Sequence, residues 1–132
     1  MGKRAAAKLL IQPKVPRSGA KTTIEAVRVL SWHACRALDK AAPGALELAI
    51  HAKVFGSEAA VRVIANLTQV VGVDSYGHEL PLAGLLQDAM ALALFAGGNI
   101  GVRRRQLHAL MLDPEYDDLA TLDGVCLAQT VS

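Results

Sequence analysis

The stretch that decides the fold is residues 45–71, ALELAIHAKVFGSEAAVRVIANLTQVV. At 100° per residue its apolar side chains fall within one broad arc, and polar side chains line the opposite side. The arc contains Leu46, Ile50, Val54, Val61, Ile64, Leu67 and Val71. The pattern predicts one long helix, in which Lys53 projects into the apolar arc and Phe55 into the polar side. We therefore expect neighbouring elements on both sides, with the Lys53 stem lying along them.

Upstream of this helix, the sequence predicts another helix and a basic arm. Thr22 and Glu25 have the spacing of a capping box, in which each side chain bonds the backbone of the other, so we place the helix start at Thr22. Pro43 and Gly44 close this helix and open the next one. Residues 1–20, which are basic and punctuated by proline and glycine, are expected to form the arm.

Downstream, the sequence predicts two more helices and a tail. A loop at residues 72–78 precedes a third helix that begins at Pro81. This helix is apolar nearly all round, so we expect other elements to surround it. Asn99 is expected to be the N-cap of a last helix at residues 100–112. Residues 113–132 follow as a tail that is acidic at first.

The composition favours an all-α bundle over residues 21–112 and argues against several classes of function. Hydrophobic residues make up 52% of the chain but aromatic residues only 4%, and the net charge is +2. That charge is too small to indicate a nucleic-acid partner. Asp88 interrupts the apolar stretch 80–100, which argues against a membrane span. Cys35 and Cys126 have no cluster of histidines, so we predict no metal site and a reducing, cytoplasmic location.

Four short motifs follow one another in order along residues 52–99. They are AKVFGSEAAVRV (52–63), TQVVG (68–72), YGHELPLAGLLQDA (76–89) and FAGGN (95–99). Together they resemble the C-terminal helical domain of the acyl-CoA dehydrogenases. The motifs correspond to its long-helix pattern, its Q-x-x-G-G turn, its Y-G-to-D-A run and its E-G-T-x loop. The resemblance implies the fold of that helical bundle, and it extends more loosely back to Thr22.

The resemblance also implies a cofactor, because family members hold FAD between subunits. The Q-x-x-G-G turn of one subunit touches the adenosine-diphosphate part of a neighbour's FAD, which implies that role for Gln69 and Gly72. Taken alone, Gln69 could instead be a solvated helix residue and Gly72 a simple C-cap. Gly97 and Asn99 remain as further candidates for cofactor contact in the E-G-T-x loop.

The reaction centre implied by the resemblance is incomplete in this chain. The family's catalytic glutamate corresponds to Ala96, whose methyl group cannot accept a proton. The threonine and a later glutamine of the family correspond to Gly98 and Val102, so two more polar contacts are missing. We therefore predict no catalytic residue in this chain.

The run Arg103-Arg104-Arg105 beside His108 allows two interpretations. It could bind phosphate, including the phosphates of CoA, at the start of the last helix. Such a run more often forms a solvated face or pairs with carboxylates, here those of residues 115–118. We favour the second interpretation.

Three functions are compatible with these features. In the first, the chain completes the FAD site and oligomer interface of a longer acyl-CoA dehydrogenase-like subunit. In the second, it is a non-catalytic helical scaffold for oligomerisation. In the third, it is a component of a flavin-dependent oxygenase of the same fold. All three require a homo-oligomer or a partner subunit to cover the exposed apolar surface of the bundle.

Overall fold

A computed structural model describes residues 15–77 and 80–122, with side chains described from Ser18 onward. The α-helices are α1 (Val15–Asp39), α2 (Ala45–Val71), α3 (Leu82–Leu94) and α4 (Arg104–Met111). Short helical turns occur at Gly72–Tyr76 and Ala120–Leu122, which are 3₁₀, and at Gly98–Arg103, which is a π-helical turn. No strand occurs in these two described ranges. The prediction of an all-α fold is confirmed.

Helix α2 is the centre of the fold, since α1, α3, α4 and the π-helical turn all pack on it. The main buried cluster lies where α1 meets the start of α2 and consists of small residues and one leucine: Ala34, Ala37, Ala45 and Leu48. Further along, a Cβ added at Gly56 would lie 3.3 Å from Val27 Cγ1. Small side chains therefore let α1 and α2 approach closely, as an alanine-rich composition predicts.

The start of α1 differs from the prediction. The helix begins at Val15, inside the segment expected to be an arm, and the Thr22 hydroxyl donates to the Ser18 carbonyl oxygen at 3.0 Å. Glu25 accepts hydrogen bonds from Lys21 and Arg28 instead of reaching back to the backbone of Thr22. The capping-box prediction was wrong, because a threonine inside a helix can bond the carbonyl four residues earlier. Residues 1–14 lie outside the described part of the chain.

The apolar arc of α2 is buried as predicted at Ile50, Val54 and Val71. In the first turn of α2, however, a residue of the predicted polar side is buried instead. Leu46 is 59% exposed and Glu47 only 8% exposed. The cause is the segment after α4, whose Tyr116 hydroxyl donates to Glu47 Oε1 at 2.8 Å. The first part of the predicted tail, up to Leu122, thus packs on the bundle.

A second contact holds the same segment against α1. His33 Nε2 donates to the carbonyl oxygen of Thr121 at 2.8 Å. Gly44, at φ 72°, lies so close to this segment that an added Cβ would be 2.9 Å from the carbonyl carbon of Ala120. The C-terminal segment therefore packs against the turn between α1 and α2.

Within residues 15–77 and 80–122, helix α3 is not surrounded by other elements, contrary to the prediction. Of its thirteen residues, Ala89 is the buried one, while Leu94 is 74% exposed and the following Phe95 is 65% exposed. The stretch Leu82–Met111 is long and apolar enough to meet the length and hydropathy criteria for a single membrane span. Its backbone, however, leaves the helical conformation at Phe95, where ψ is 156°. The apolar side chains of α3 form a surface that the described residues leave open.

The predicted last helix is two elements rather than one. The π-helical turn Gly98–Arg103 precedes α4, and its N-cap is Gly97, with no side chain capping it. The prediction that Asn99 is an N-cap was wrong: it is 4% exposed and its side chain hydrogen-bonds α2. The buried partners on α2 outcompete the local backbone donors that a capping asparagine would bond.

Candidate functional site

The first candidate site is the end of α2. Gly72 ends the helix at φ 75° and ψ −148°, and its N–H donates to the carbonyl oxygen of Thr68. A positive φ of this kind favours glycine, because a Cβ would be strained there. Gln69, on the last turn before it, is exposed. The structure therefore brings Gln69 and Gly72 together at one turn, with the Gln69 amide open to solvent.

A cleft of about 420 Å³ lies at the opposite end of α2, and its lining includes four acidic residues. A smaller cleft of about 210 Å³ lies beside Thr68, one residue before Gln69. The smaller cleft is lined by Thr68, Ser75, Tyr76, Ala83, Leu86, Gln87 and Met90. The Thr68 hydroxyl donates to the Ala65 carbonyl oxygen at 2.7 Å. Ser75 is 1% exposed, and its Oγ has no hydrogen-bond partner among the described residues. A buried hydroxyl without a partner costs about 1–3 kcal/mol.

The second candidate site is the bend after α3. Three successive residues have positive φ: Ala96 at 55°, Gly97 at 92° and Gly98 at 69°. Alanine in this region costs about 1–2 kcal/mol relative to ordinary conformations. Ala96 is exposed and presents a methyl group, so position 96 contributes no acid or base.

A buried polar cluster holds this bend against the middle of α2. Lys53 Nζ donates to Asn99 Oδ1 at 2.5 Å and lies 3.5 Å from the carbonyl oxygen of Ala93. Asn99 Nδ2 donates to Ser57 Oγ at 2.9 Å and to Glu58 Oε1 at 3.3 Å. The amide oxygen and the amide nitrogen of Asn99 are therefore both hydrogen-bonded, as buried polar groups require.

The three consecutive arginines have different partners. Arg104 Nη2 contacts both carboxylate oxygens of Glu58, at 2.9 and 3.0 Å. Arg105 Nε donates to the carbonyl oxygen of Gly101. Arg103 Nη1 donates to Gln106 Oε1 at 2.8 Å, but its buried Nε has no partner among the described residues. The interpretation of a solvated, carboxylate-paired run holds for Arg104, although its partner is on α2 and not at residues 115–118.

The four residues predicted to contact a cofactor form two separate pairs. Gly97 and Asn99 lie at the bend, opposite residues 53–58 of α2, whereas Gln69 and Gly72 lie at the end of that helix. Ser57 and Gln69 are twelve residues apart, which is about 18 Å along the helix axis. One small ligand cannot contact both pairs; an extended dinucleotide or two separate ligands could.

Sequence reasoning missed the roles of Ser75 and of the Lys53–Asn99 contact. Ser75 lies in a loop whose pattern carries no signal for burial. Lys53 did give a signal, since a lysine inside an apolar arc needs a polar partner when it is covered. No group of three or more histidine, cysteine, aspartate or glutamate side chains suited to a metal occurs among the described residues.

Comparison with known proteins places the chain in a family. Residues 2–112 match the family described as acyl-CoA dehydrogenase, C-terminal domain. The nitroalkane oxidase of Podospora anserina is 45% identical over 111 residues, which are 81% of this chain and 26% of that protein. The nitroalkane oxidase of Fusarium oxysporum is 34% identical, over 79% of this chain and 24% of that protein.

Solved structures give the same relationship. The Podospora anserina nitroalkane oxidase superposes with a TM-score of 0.78 at 40% identity, covering 85% of this chain and 28% of that one. A structure of a nitroalkane oxidase active-site mutant crystallised with 1-nitrooctane superposes with a TM-score of 0.74 at 34% identity, covering 79% of this chain and 25% of that one. The chain thus spans about a quarter of the length of the relatives it matches.

Proposed function

Because this chain belongs to the acyl-CoA dehydrogenase family through its C-terminal helical domain, we propose that it forms that domain of an FAD-dependent oxidoreductase. In this proposal it completes a FAD site and an oligomer interface with a longer partner chain. The carrying observation is the superposition on about a quarter of a flavoprotein, with a TM-score of 0.78. A helical module of this kind supplies part of a cofactor site, and the other part comes from protein outside these 132 residues.

The residues at the end of α2 fit part of FAD. The exposed Gln69 amide offers both a donor and an acceptor to a pyrophosphate or a ribose, and Gly72 allows close approach of the backbone. Ser75 lines the adjoining cleft, and its hydroxyl has no hydrogen-bond partner in the described part of the chain. When bound, FAD supplies the two-electron acceptor of the reaction. The chain's own residues bind and orient its nucleotide half at this turn.

In this proposal the bend after α3 takes the place of the relatives' reaction centre. In nitroalkane oxidase an aspartate and an arginine seven positions apart have roles in the reaction, and the aspartate is an active-site residue. Ala96 and Arg103 have the same separation in this chain, and Ala96 is the position to which the resemblance assigns the family's catalytic carboxylate. Arg103 keeps its guanidinium, while the proton acceptor is absent. We therefore propose that the chain takes part in FAD binding without proton abstraction at position 96.

A chimera tests this proposal directly. The matching C-terminal part of the Podospora anserina nitroalkane oxidase is replaced by residues 2–122 of this chain, which the 45% identity makes feasible. We expect a yellow chimera that retains FAD but does not oxidise 1-nitrohexane. The same chimera carrying Ala96→Asp is expected to regain flavin reduction by 1-nitrohexane, because a carboxylate again stands seven residues before Arg103.

Gln69→Ala in the chimera serves as the variant of the nucleotide contact, and Asn66→Ala, an exposed amide one turn earlier on α2, as its matched control. We expect FAD to dissociate more readily from the first and not from the second. A chimera that folds to the parent's oligomeric state but purifies without FAD contradicts the proposal.

A non-catalytic scaffold is the second candidate, and the observations that favour it are Ala96 and the open apolar side chains of α3. Leu94 and Phe95 are 74% and 65% exposed, which suits a surface that associates with another subunit. This candidate predicts a stable, colourless oligomer and a chimera without flavin. The colour of the purified chimera therefore separates the two functions.

A further inference from the structure

The bend between α3 and α4 has a backbone conformation that its own sequence does not secure. Ala96, Gly97 and Gly98 have positive φ in succession, and a π-helical turn follows. Conformations of this kind persist where the surrounding structure holds them. The side chains that reach the bend from α2 therefore decide whether it keeps one shape.

A single ammonium group joins the two arms of the bend. Lys53 Nζ contacts the carbonyl oxygen of Ala93, three residues before Ala96, and Oδ1 of Asn99, three residues after it. The first contact also places a positive charge at the C-terminal end of α3, where helical carbonyl groups carry partial negative charge. Position 96 is thus the midpoint of a segment whose two sides are tied to the same atom.

We propose that Lys53 and Asn99 are positioning residues, which hold residues 96–103 in one conformation and thereby fix the places of position 96 and of Arg103. The claim that this segment is the reaction centre rests on the proposed function; the claim that these two residues fix its conformation does not. Neither residue needs to touch substrate or cofactor for this role, since both act through the backbone of the bend.

Asn99 transmits the restraint to the rest of α2. Its amide donates to Ser57 Oγ, while the Ser57 hydroxyl itself donates to the carbonyl oxygen of Lys53 at 2.7 Å. Glu58 completes the attachment by accepting from Asn99 Nδ2 and pairing with Arg104. The bend is therefore held on both sides of position 96. Lys53 is the residue whose ammonium group joins the end of α3 to Asn99.

Hydrogen exchange of the chain alone, followed by NMR at single amides, tests this inference. We expect Lys53→Met to raise the exchange rates of the amides of residues 98–104 at least about tenfold, because methionine keeps the apolar stem and loses the donors. Lys53→Arg keeps a charged donor and should restore most of the protection. Lys40→Met, which removes an exposed lysine near the end of α1, is the matched control.

The exchange rates are compared with those of Ala34 and Leu48 in the buried cluster. Selective acceleration at residues 98–104 supports positioning, and an equal acceleration at Ala34 and Leu48 means that Lys53 acts only through global stability and overturns it. No acceleration in Lys53→Met overturns it as well. Since no FAD or partner is present in this measurement, failure of FAD binding in the chimera leaves its result intact.

A spectroscopic measurement covers the case in which Lys53→Met unfolds. In chain carrying Ala96→Asp with a ¹³C-labelled carboxyl group, the new aspartate should give one narrow carboxyl resonance. Adding Asn99→Ala should broaden or multiply that resonance while the resonances of the α1–α2 core keep their positions. An unchanged single resonance contradicts the proposal that Asn99 fixes position 96.

Discussion

Asn99→Ala should destabilise the chain far more than an ordinary asparagine substitution. The side chain is 4% exposed and makes short hydrogen bonds to Lys53 and Ser57, at 2.5 and 2.9 Å. Loss of a hydrogen bond to a charged group costs about 1.5–3 kcal/mol and loss of a neutral one about 1 kcal/mol. We therefore expect the free energy of unfolding to fall by about 3 kcal/mol, a large fraction of the roughly 5–15 kcal/mol typical of a domain.

Urea denaturation followed by far-ultraviolet circular dichroism measures this change. With an m-value of about 2 kcal/mol/M, the midpoint should fall by about 1.5 M. Asn66→Ala is the matched control, because Asn66 is an exposed asparagine on α2, and it should change stability by less than about 0.5 kcal/mol. If the two variants lose the same stability, or if Asn99→Ala loses less than about 1 kcal/mol, the polar cluster does not hold the bend.

Two further predictions concern the C-terminal segment and the strained alanine. Tyr116→Phe should lower the urea midpoint at neutral pH, whereas Tyr76→Phe, at an 81% exposed tyrosine, should not. The hydrogen bond to the Glu47 carboxylate raises the pKa of Tyr116 above its ordinary value of 10.0, so its contribution is fully present below that value and is lost as the pH rises through the raised pKa; a midpoint difference that persists at still higher pH would contradict this. Ala96→Gly should raise the melting temperature, since glycine relieves about 1 kcal/mol of strain at φ 55°, and an unchanged or lower melting temperature would show that no such strain exists there.

Sequence periodicity predicted the helices well where one face of a helix decides its burial. The long α2 was identified with its bounds, because 27 residues of consistent pattern outweigh any local exception. The start of α1 was missed, since a threonine with a glutamate three residues later can cap a helix or lie within it. Only the surrounding contacts decide whether such a threonine caps the helix or lies within it. Here the Thr22 hydroxyl donates to the carbonyl oxygen of Ser18, inside the helix.

The candidate site was predictable in its order along the chain but not in its spatial arrangement. Gln69 and Gly72 could be paired because they are neighbours at one helix end. Asn99 was expected to cap a helix, and its burial against α2 depends on a contact 46 residues away in sequence, which periodicity cannot show. The burial of Glu47 beneath Tyr116 was missed for the same reason, since its partner is 69 residues away.

The residues that hold the shape of the bend differ from the residue at which the proposed reaction would need a proton acceptor, Ala96. If the bend needed a carboxylate at position 96 to keep its shape, a chain with alanine there would not hold the strained backbone conformation. Instead the bend is tied to α2 by Lys53 on both sides of position 96 and by Asn99 and Arg104 beyond it. Ala96 itself is exposed. On the proposed function, Ala96→Asp therefore tests the reaction, and Lys53→Met tests the conformation of the bend in which that reaction would occur.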